Sequence, residues 1–127
     1  MQTSQILVVD DFKGIRYVAN LVLSQAGYKV ILANNAEDAL RVLSDNAIDL
    51  VIADLNMPGM NGVELSQRIR HQYTNLPILI MASVPEMQRR SMKQAIEQLL
   101  RKTDVSGWMY KPFQTQELLG NVRAVLG

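Results

Sequence analysis

The 127-residue chain has 48% hydrophobic residues, 13 basic and 12 acidic side chains and a formal net charge of +1, the composition of one ordinary globular domain over residues 1–127 and not of a disordered tail or a multidomain machine. With no cysteine, and His71 as the single histidine, disulfide scaffolds, thiolate zinc sites, cysteine nucleophiles and histidine metal clusters are excluded. The opening MQTSQ is polar and the first apolar run is only Ile6 to Val9, so neither a signal peptide nor a membrane span is expected, the cytoplasm is the default compartment, and the near-neutral charge gives no pull toward nucleic acid or anionic lipid.

Ile6 to Val9 reads as the first strand, followed by Ile15, Val18, Ala19, Val22 and Ala26 at helical spacing and by Gly27 as the stop. Val30 to Ala33 is the second strand. Asn35 with Asp38 resembles a cap for a helix carrying Ala36, Ala39, Leu40 and Leu43. Leu50 to Ala53 is the third strand, after which Pro58, Gly59 and Gly62 break the chain before a helix marked by Leu65 and Ile69. Ile78 to Met81 is the fourth, with the stripe Met92, Ala95, Ile96, Leu99 and Leu100 behind it. A weaker fifth strand, Trp108 to Tyr110, precedes the last stripe, Leu118, Leu119, Val122 and Val125. Asp38 and Asp49, taken singly, read as cap or turn residues.

The strand runs are continuously apolar rather than alternating, as strands are when helices cover both faces of a parallel sheet. Five strands alternating with five helices predict an α/β fold, an open doubly wound sheet with right-handed crossovers. In such sheets ligands bind beyond the carboxyl ends of the strands. The residues leaving those ends are Asp10 and Asp11, Asn34, Asp54, Ser83, and Lys111 followed by Pro112. Strands about 4.8 Å apart would bring them together. Like charges about 4 Å apart repel by roughly 4 kcal/mol at an effective dielectric near 20, and one lysine offsets only part of that. A hard divalent ion with oxygen ligands, Mg²⁺, would neutralise the cluster and take further ligands from phosphate.

The segments ILVVDDF, DLVIADLNMPGMNGVEL, LIMAS and MYKPF resemble the receiver domain of two-component response regulators over nearly the whole chain, and the DDF run and DxNMP loop are closest to single-domain chemotaxis regulators. The resemblance implies a flavodoxin-like strand order, 2-1-3-4-5. It implies Asp54 as phosphoacceptor, Asp10, Asp11 and Asp54 as Mg²⁺ ligands joined by the Asn56 backbone carbonyl, and Ser83 as the switch hydroxyl. Lys111 would contact the phosphoryl oxygens, Trp108 would be the switch aromatic, and the Lys111–Pro112 bond would be cis. The expected role is a signalling switch rather than an enzyme acting on external substrates. It is charged by a sensor histidine kinase or phosphotransfer protein and controls a downstream protein through its fourth helix, fifth strand and fifth helix. The chemistry agrees: an aspartate carboxylate forms acyl phosphates, and a cation with hydroxyl donors stabilises the transferring group.

Two departures from the family pattern stand out. The stretch from Ser83 to Lys111 is longer than usual by roughly six residues, about 1.5 helical turns, so an extended fourth helix is expected. It carries Arg89, Arg90, Lys93, Arg101 and Lys102 against Glu86 and Glu97, an output surface suited to acidic partners more than to nucleic acid or membrane. Val84 stands where the family usually places a smaller residue and Pro85 follows it, both crowding the incoming water, which predicts slow loss of the phosphoryl group. Three rival readings fit the residues less well. A phosphatase using an aspartyl phosphate needs a second aspartate two positions after the first, and neither Asp10-Asp11-Phe12 nor Asp54-Leu55-Asn56 supplies it. A dinucleotide-binding module needs a glycine-rich turn after the first strand. A receiver-like module without phosphorylation would not need the full acid set. With the sequence finishing at Gly127, output is expected to come through binding.

Overall fold

The computed structural model describes residues 3–127; Met1 and Gln2, the head of the polar stretch on which the signal-peptide reading partly rests, lie outside the described residues. The five apolar runs form five strands, β1 (Gln5–Val9), β2 (Lys29–Ala33), β3 (Leu50–Asp54), β4 (Ile78–Ser83) and β5 (Gly107–Lys111). Helices α1 (Lys13–Gln25), α2 (Ala36–Asp45), α3 (Gly62–Gln72), α4 (Arg89–Leu100) and α5 (Thr115–Leu126) follow them in turn. All pairings are parallel, as the alternating pattern predicts, and the order β2-β1-β3-β4-β5 is the one the resemblance implies. No helix among the described residues is long and apolar enough to cross a membrane.

Strand side chains alternate between two cores. Leu7, Val9, Val51, Ala53, Ile78 and Ile80 face a cluster completed by α2, α3 and α4. Ile6, Val8, Leu50, Ile52, Leu79 and Met81 face a second, completed by Ala19 and Leu23 of α1 and Leu118 and Val122 of α5. This double coverage is why the strand runs show no polar alternation, and β3 is buried along its whole length. The outer strand β2 is covered less, and Leu32 is exposed.

Several sequence expectations change here. On α1 the buried positions are Ala19 and Leu23, with Ile15 and Val22 half-buried; Val18 and Ala26 of the expected stripe are exposed, together with Tyr17 and Leu21. A helix with apolar residues on more than one face has no unique stripe, and packing against the sheet selects one. On α4 only Ile96 and Leu100 are buried, while Met92, Ala95 and Leu99 are exposed. Nor is α4 extended: it has 12 residues, as α5 has. The extra length goes into a 3₁₀ turn at Glu86–Gln88 and a turn over residues 101–104. Pro85 precedes the first. At the second, the amides of Lys102 and Thr103 turn to Leu99 and Leu100 at i+3 spacing, with the Thr103 hydroxyl also donating to the Leu100 carbonyl, which closes the helix. Asp49 is no local cap: its carboxylate accepts the Gln5 amide at 2.8 Å, pinning the start of β3 to β1. Asn35 does cap α2, accepting the Asp38 amide.

Candidate functional site

Parallel register places the strand ends on one edge: Val9 pairs with both Ala33 and Ala53, Asp54 with Met81, and Ser83 with Lys111. The residues that leave them meet there. Asp10 is fully buried; its Oδ1 accepts the Phe12 amide at 2.8 Å, and its Oδ2 lies 2.9 Å from Lys111 Nζ. The same ammonium lies 3.0 Å from Asp54 Oδ2. Asp54, only 2% exposed, also accepts the Asn56 amide at 3.3 Å through Oδ1. Asp11 is exposed and enters no ion pair among the described residues. Carboxylate oxygens of Asp10, Asp11 and Asp54 all lie within 4.8 Å of one another.

One ammonium therefore serves two buried carboxylates, with a third at the mouth. Burial, together with the Asp10 charge, raises the Asp54 pKa above the usual carboxylate value, and the hydrogen bond and charge of Lys111 offset this only in part. Burial also works against the Lys111 charge, but hydrogen bonds and attraction from both aspartates outweigh it and raise its pKa. A site with surplus buried negative charge and hard oxygen donors fits a magnesium-sized ion better than a soft metal.

The remaining sequence-derived residues sit around this centre. Asn56 is exposed at the mouth, two residues past Asp54, and Ser83 is exposed at the end of β4 beside Lys111. Ser83, Val84 and Pro85 line a cleft of about 350 Å³ with Leu55, Asn56 and the exposed apolar side of α4, and Val84 itself is buried in the core. The Lys111–Pro112 bond is cis. Trp108 is half-buried, its ring 4.9 Å from that of Tyr110 in an edge-on arrangement at 82°.

The five basic residues assigned to an output surface do not behave alike. Arg90, Lys93, Arg101 and Lys102 are exposed, Lys93 standing 4.0 Å from Glu97. Arg89 is a correction: it is turned inward and half-buried, and its guanidinium donates to the carbonyls of Val84 at 3.1 Å and Lys111 at 3.4 Å.

Other positioning features escaped the sequence reading. Arg16 donates to the Asp10 carbonyl at 2.6 Å; with a backbone acceptor, no sequence spacing announces it. The start of α3 bears a capping box, Asn61 accepting the Glu64 amide while Glu64 accepts that of Asn61, and its Asn-x-x-Glu signal was legible. Gly62 is the close approach: a Cβ there would stand 2.4 Å from the Asp54 carbonyl oxygen.

A family profile described as response regulator receiver domain matches residues 6–123. The response regulator protein FleR of Pseudomonas aeruginosa is 34% identical over 98% of this chain and 25% of its own length. Among solved structures, the chemotaxis response regulator CheY4 of Vibrio cholerae is 31% identical, with 98% of this chain and 100% of that one covered and a TM-score of 0.85. The response regulator TrrA of Thermotoga maritima, solved in complex with Mg²⁺-BeF, is 30% identical over 98% of this chain and 100% of its own, with a TM-score of 0.79. The chain spans between a quarter and a half of the first curated relatives it matches.

Proposed function

We propose, for a chain that belongs to the response regulator receiver domain family of two-component signalling, that residues 1–127 act as one phosphorylation-dependent switch with Asp54 as the acceptor. The observation that carries this is the Lys111 ammonium held 2.9 and 3.0 Å from two buried carboxylates at one sheet edge. Such a cluster is costly for the folded state and useful for phosphoryl transfer.

In this reading a carboxylate oxygen of Asp54 attacks the phosphorus of a phosphohistidine on a sensor kinase or phosphotransfer protein. The P–O bond to Asp54 forms as the P–N bond of the donor breaks, and the donor imidazole leaves with the electron pair. Lys111 turns from the carboxylates toward the phosphoryl oxygens and neutralises their added charge. Asp10, Asp11, Asp54 and the Asn56 backbone carbonyl would hold Mg²⁺, which supplies charge neutralisation on the phosphoryl oxygens; the oxygen cluster fits it, and TrrA is a relative solved with Mg²⁺-BeF. The Ser83 hydroxyl donates to the new group, and Trp108 follows it inward. The altered surface is that of α4, β5 and α5, where Arg90, Lys93, Arg101 and Lys102 favour an acidic protein partner. The yield is one acyl phosphate per chain, without turnover of an external substrate.

Incubation with acetyl phosphate and Mg²⁺ tests this. Wild type should take up one acid-stable, base-labile phosphoryl group and Asp54→Asn none. Equal labelling of the two proteins, or turnover of generic phosphate esters, refutes it.

A further inference from the structure

We propose that Arg89 is a positioning residue of the phosphoryl site, one that couples the Ser83 loop and Lys111 to Trp108 and to the first turn of α4. The inference rests on the receiver reading above and adds to it a residue outside the acid cluster. The Arg89 guanidinium is turned to carbonyls and a ring, and among the described residues it forms no ion pair. Its Nε donates to the carbonyl of Val84, the residue next to Ser83, at 3.1 Å, and a terminal nitrogen donates to the carbonyl of Lys111 at 3.4 Å. The guanidinium carbon lies 4.6 Å from the centroid of the Tyr110 ring. The Tyr110 hydroxyl in turn donates to the Arg89 carbonyl at 3.1 Å, so the α4 end of the link is fixed as well.

The geometry matters because of what is joined. Ser83 and Lys111 are opposed in the β4–β5 ladder, and both strands stop there. Beyond that point no ladder bond holds their separation; the forked guanidinium bridges the two carbonyls in its place. Only arginine offers rigidly spaced donors and a flat face for stacking in one side chain. Tyr110 stands between Arg89 and Trp108, touching the first through its face and the second edge-on. A shift of the Val84 carbonyl, as Ser83 closes on a phosphoryl group, therefore reaches α4 through Arg89 and the only tryptophan of the chain through Tyr110.

The test uses the full chain and two probes: acetyl phosphate with Mg²⁺ for the rate of Asp54 labelling, and Mg²⁺ with beryllofluoride for Trp108 emission. Arg89→Ala should label roughly 3- to 10-fold more slowly, the scale of a small misplacement of reacting groups, and lose most of the beryllofluoride-induced change in emission. Arg89→Lys, with charge but no fork, should fall between it and wild type. Tyr110→Phe removes only the hydroxyl gripping Arg89 and should keep its fold while losing part of the emission change. Wild-type labelling rate and emission response in Arg89→Ala overturn the proposal. If that variant does not fold, a wild-type response in Tyr110→Phe overturns it instead. Absence of Asp54 labelling in the wild type removes the receiver reading, and this proposal with it, an outcome distinct from the others.

Discussion

Lys111 neutralises one unit of charge where two buried carboxylates need it, so Asp54 remains costly in the folded chain. Because its pKa is raised by burial, the folded state binds that proton more tightly than the unfolded state does. The favourable contribution of the protonated form is complete below the ordinary carboxylate range and fades as pH climbs through the raised value. At pH 7 and without divalent ions, Asp54→Asn should therefore unfold at a temperature a few degrees above wild type. The difference should shrink as the pH falls toward the carboxylate range. A lower midpoint for the variant at pH 7 would contradict it; differential scanning calorimetry across pH decides. Asp10, Asp11, Asp54, Ser83 and Lys111 were readable from the sequence for a simple reason: they are the polar residues at the ends of apolar strands, whereas Asn56 and Trp108 came only with the receiver resemblance. Arg16, Arg89 and Tyr110 were not, because they act through backbone carbonyls, and a carbonyl leaves no trace in residue identity.

Among the elements, α3 is placed most exactly. Its first residue, Gly62, lets the helix start pack on the strand end that carries Asp54. Gly62→Ala would gain about 1 kcal/mol of helix propensity, yet its methyl group would stand 2.4 Å from a backbone oxygen that has no rotamer to yield. Overpacking of this kind costs about 1–3 kcal/mol, so net destabilisation in urea and slower Asp54 labelling are expected, against wild-type values if the backbone gives way freely. The strands were legible from their unbroken apolar runs, and α2 and α5 from single apolar stripes. For α1 the sequence offered too many apolar residues to select a face, since Tyr17, Val18 and Leu21 are exposed while Ala19 and Leu23 carry the packing. For α4 the boundary signals lay in Pro85 and in i+3 bonds at Thr103 rather than in periodicity.

For the molecule as a whole, the open parallel sheet could be anticipated because alternating strands and helices of this length admit few topologies, and its strand order followed from the receiver resemblance. Which surface meets which partner could not, since exposed charge and exposed apolar side chains look alike in a sequence wherever they fall in space. The carboxylate cluster makes whole-chain stability depend on divalent ions: a ligand that binds only the folded state stabilises it by RT ln(1 + [L]/Kd). Mg²⁺ should raise the thermal midpoint of wild type. Asp11→Asn, altering an exposed side chain, should fold normally and lose most of that rise. A full Mg²⁺ effect in this variant would remove Asp11 from the ion site.

Past its first residue, which the Arg89–Tyr110 contacts fix, α4 enters the core only through Ile96 and Leu100, and this body of the helix is a segment that can detach cheaply while the rest stays shut. Backbone amides report such openings, because their protons trade with deuterium only when a segment lifts. Those of α4 should trade well before those of β1 and β3, and beryllofluoride with Mg²⁺ should slow them selectively. Uniform protection across all five helices would mean that the chain has no preferred place to yield.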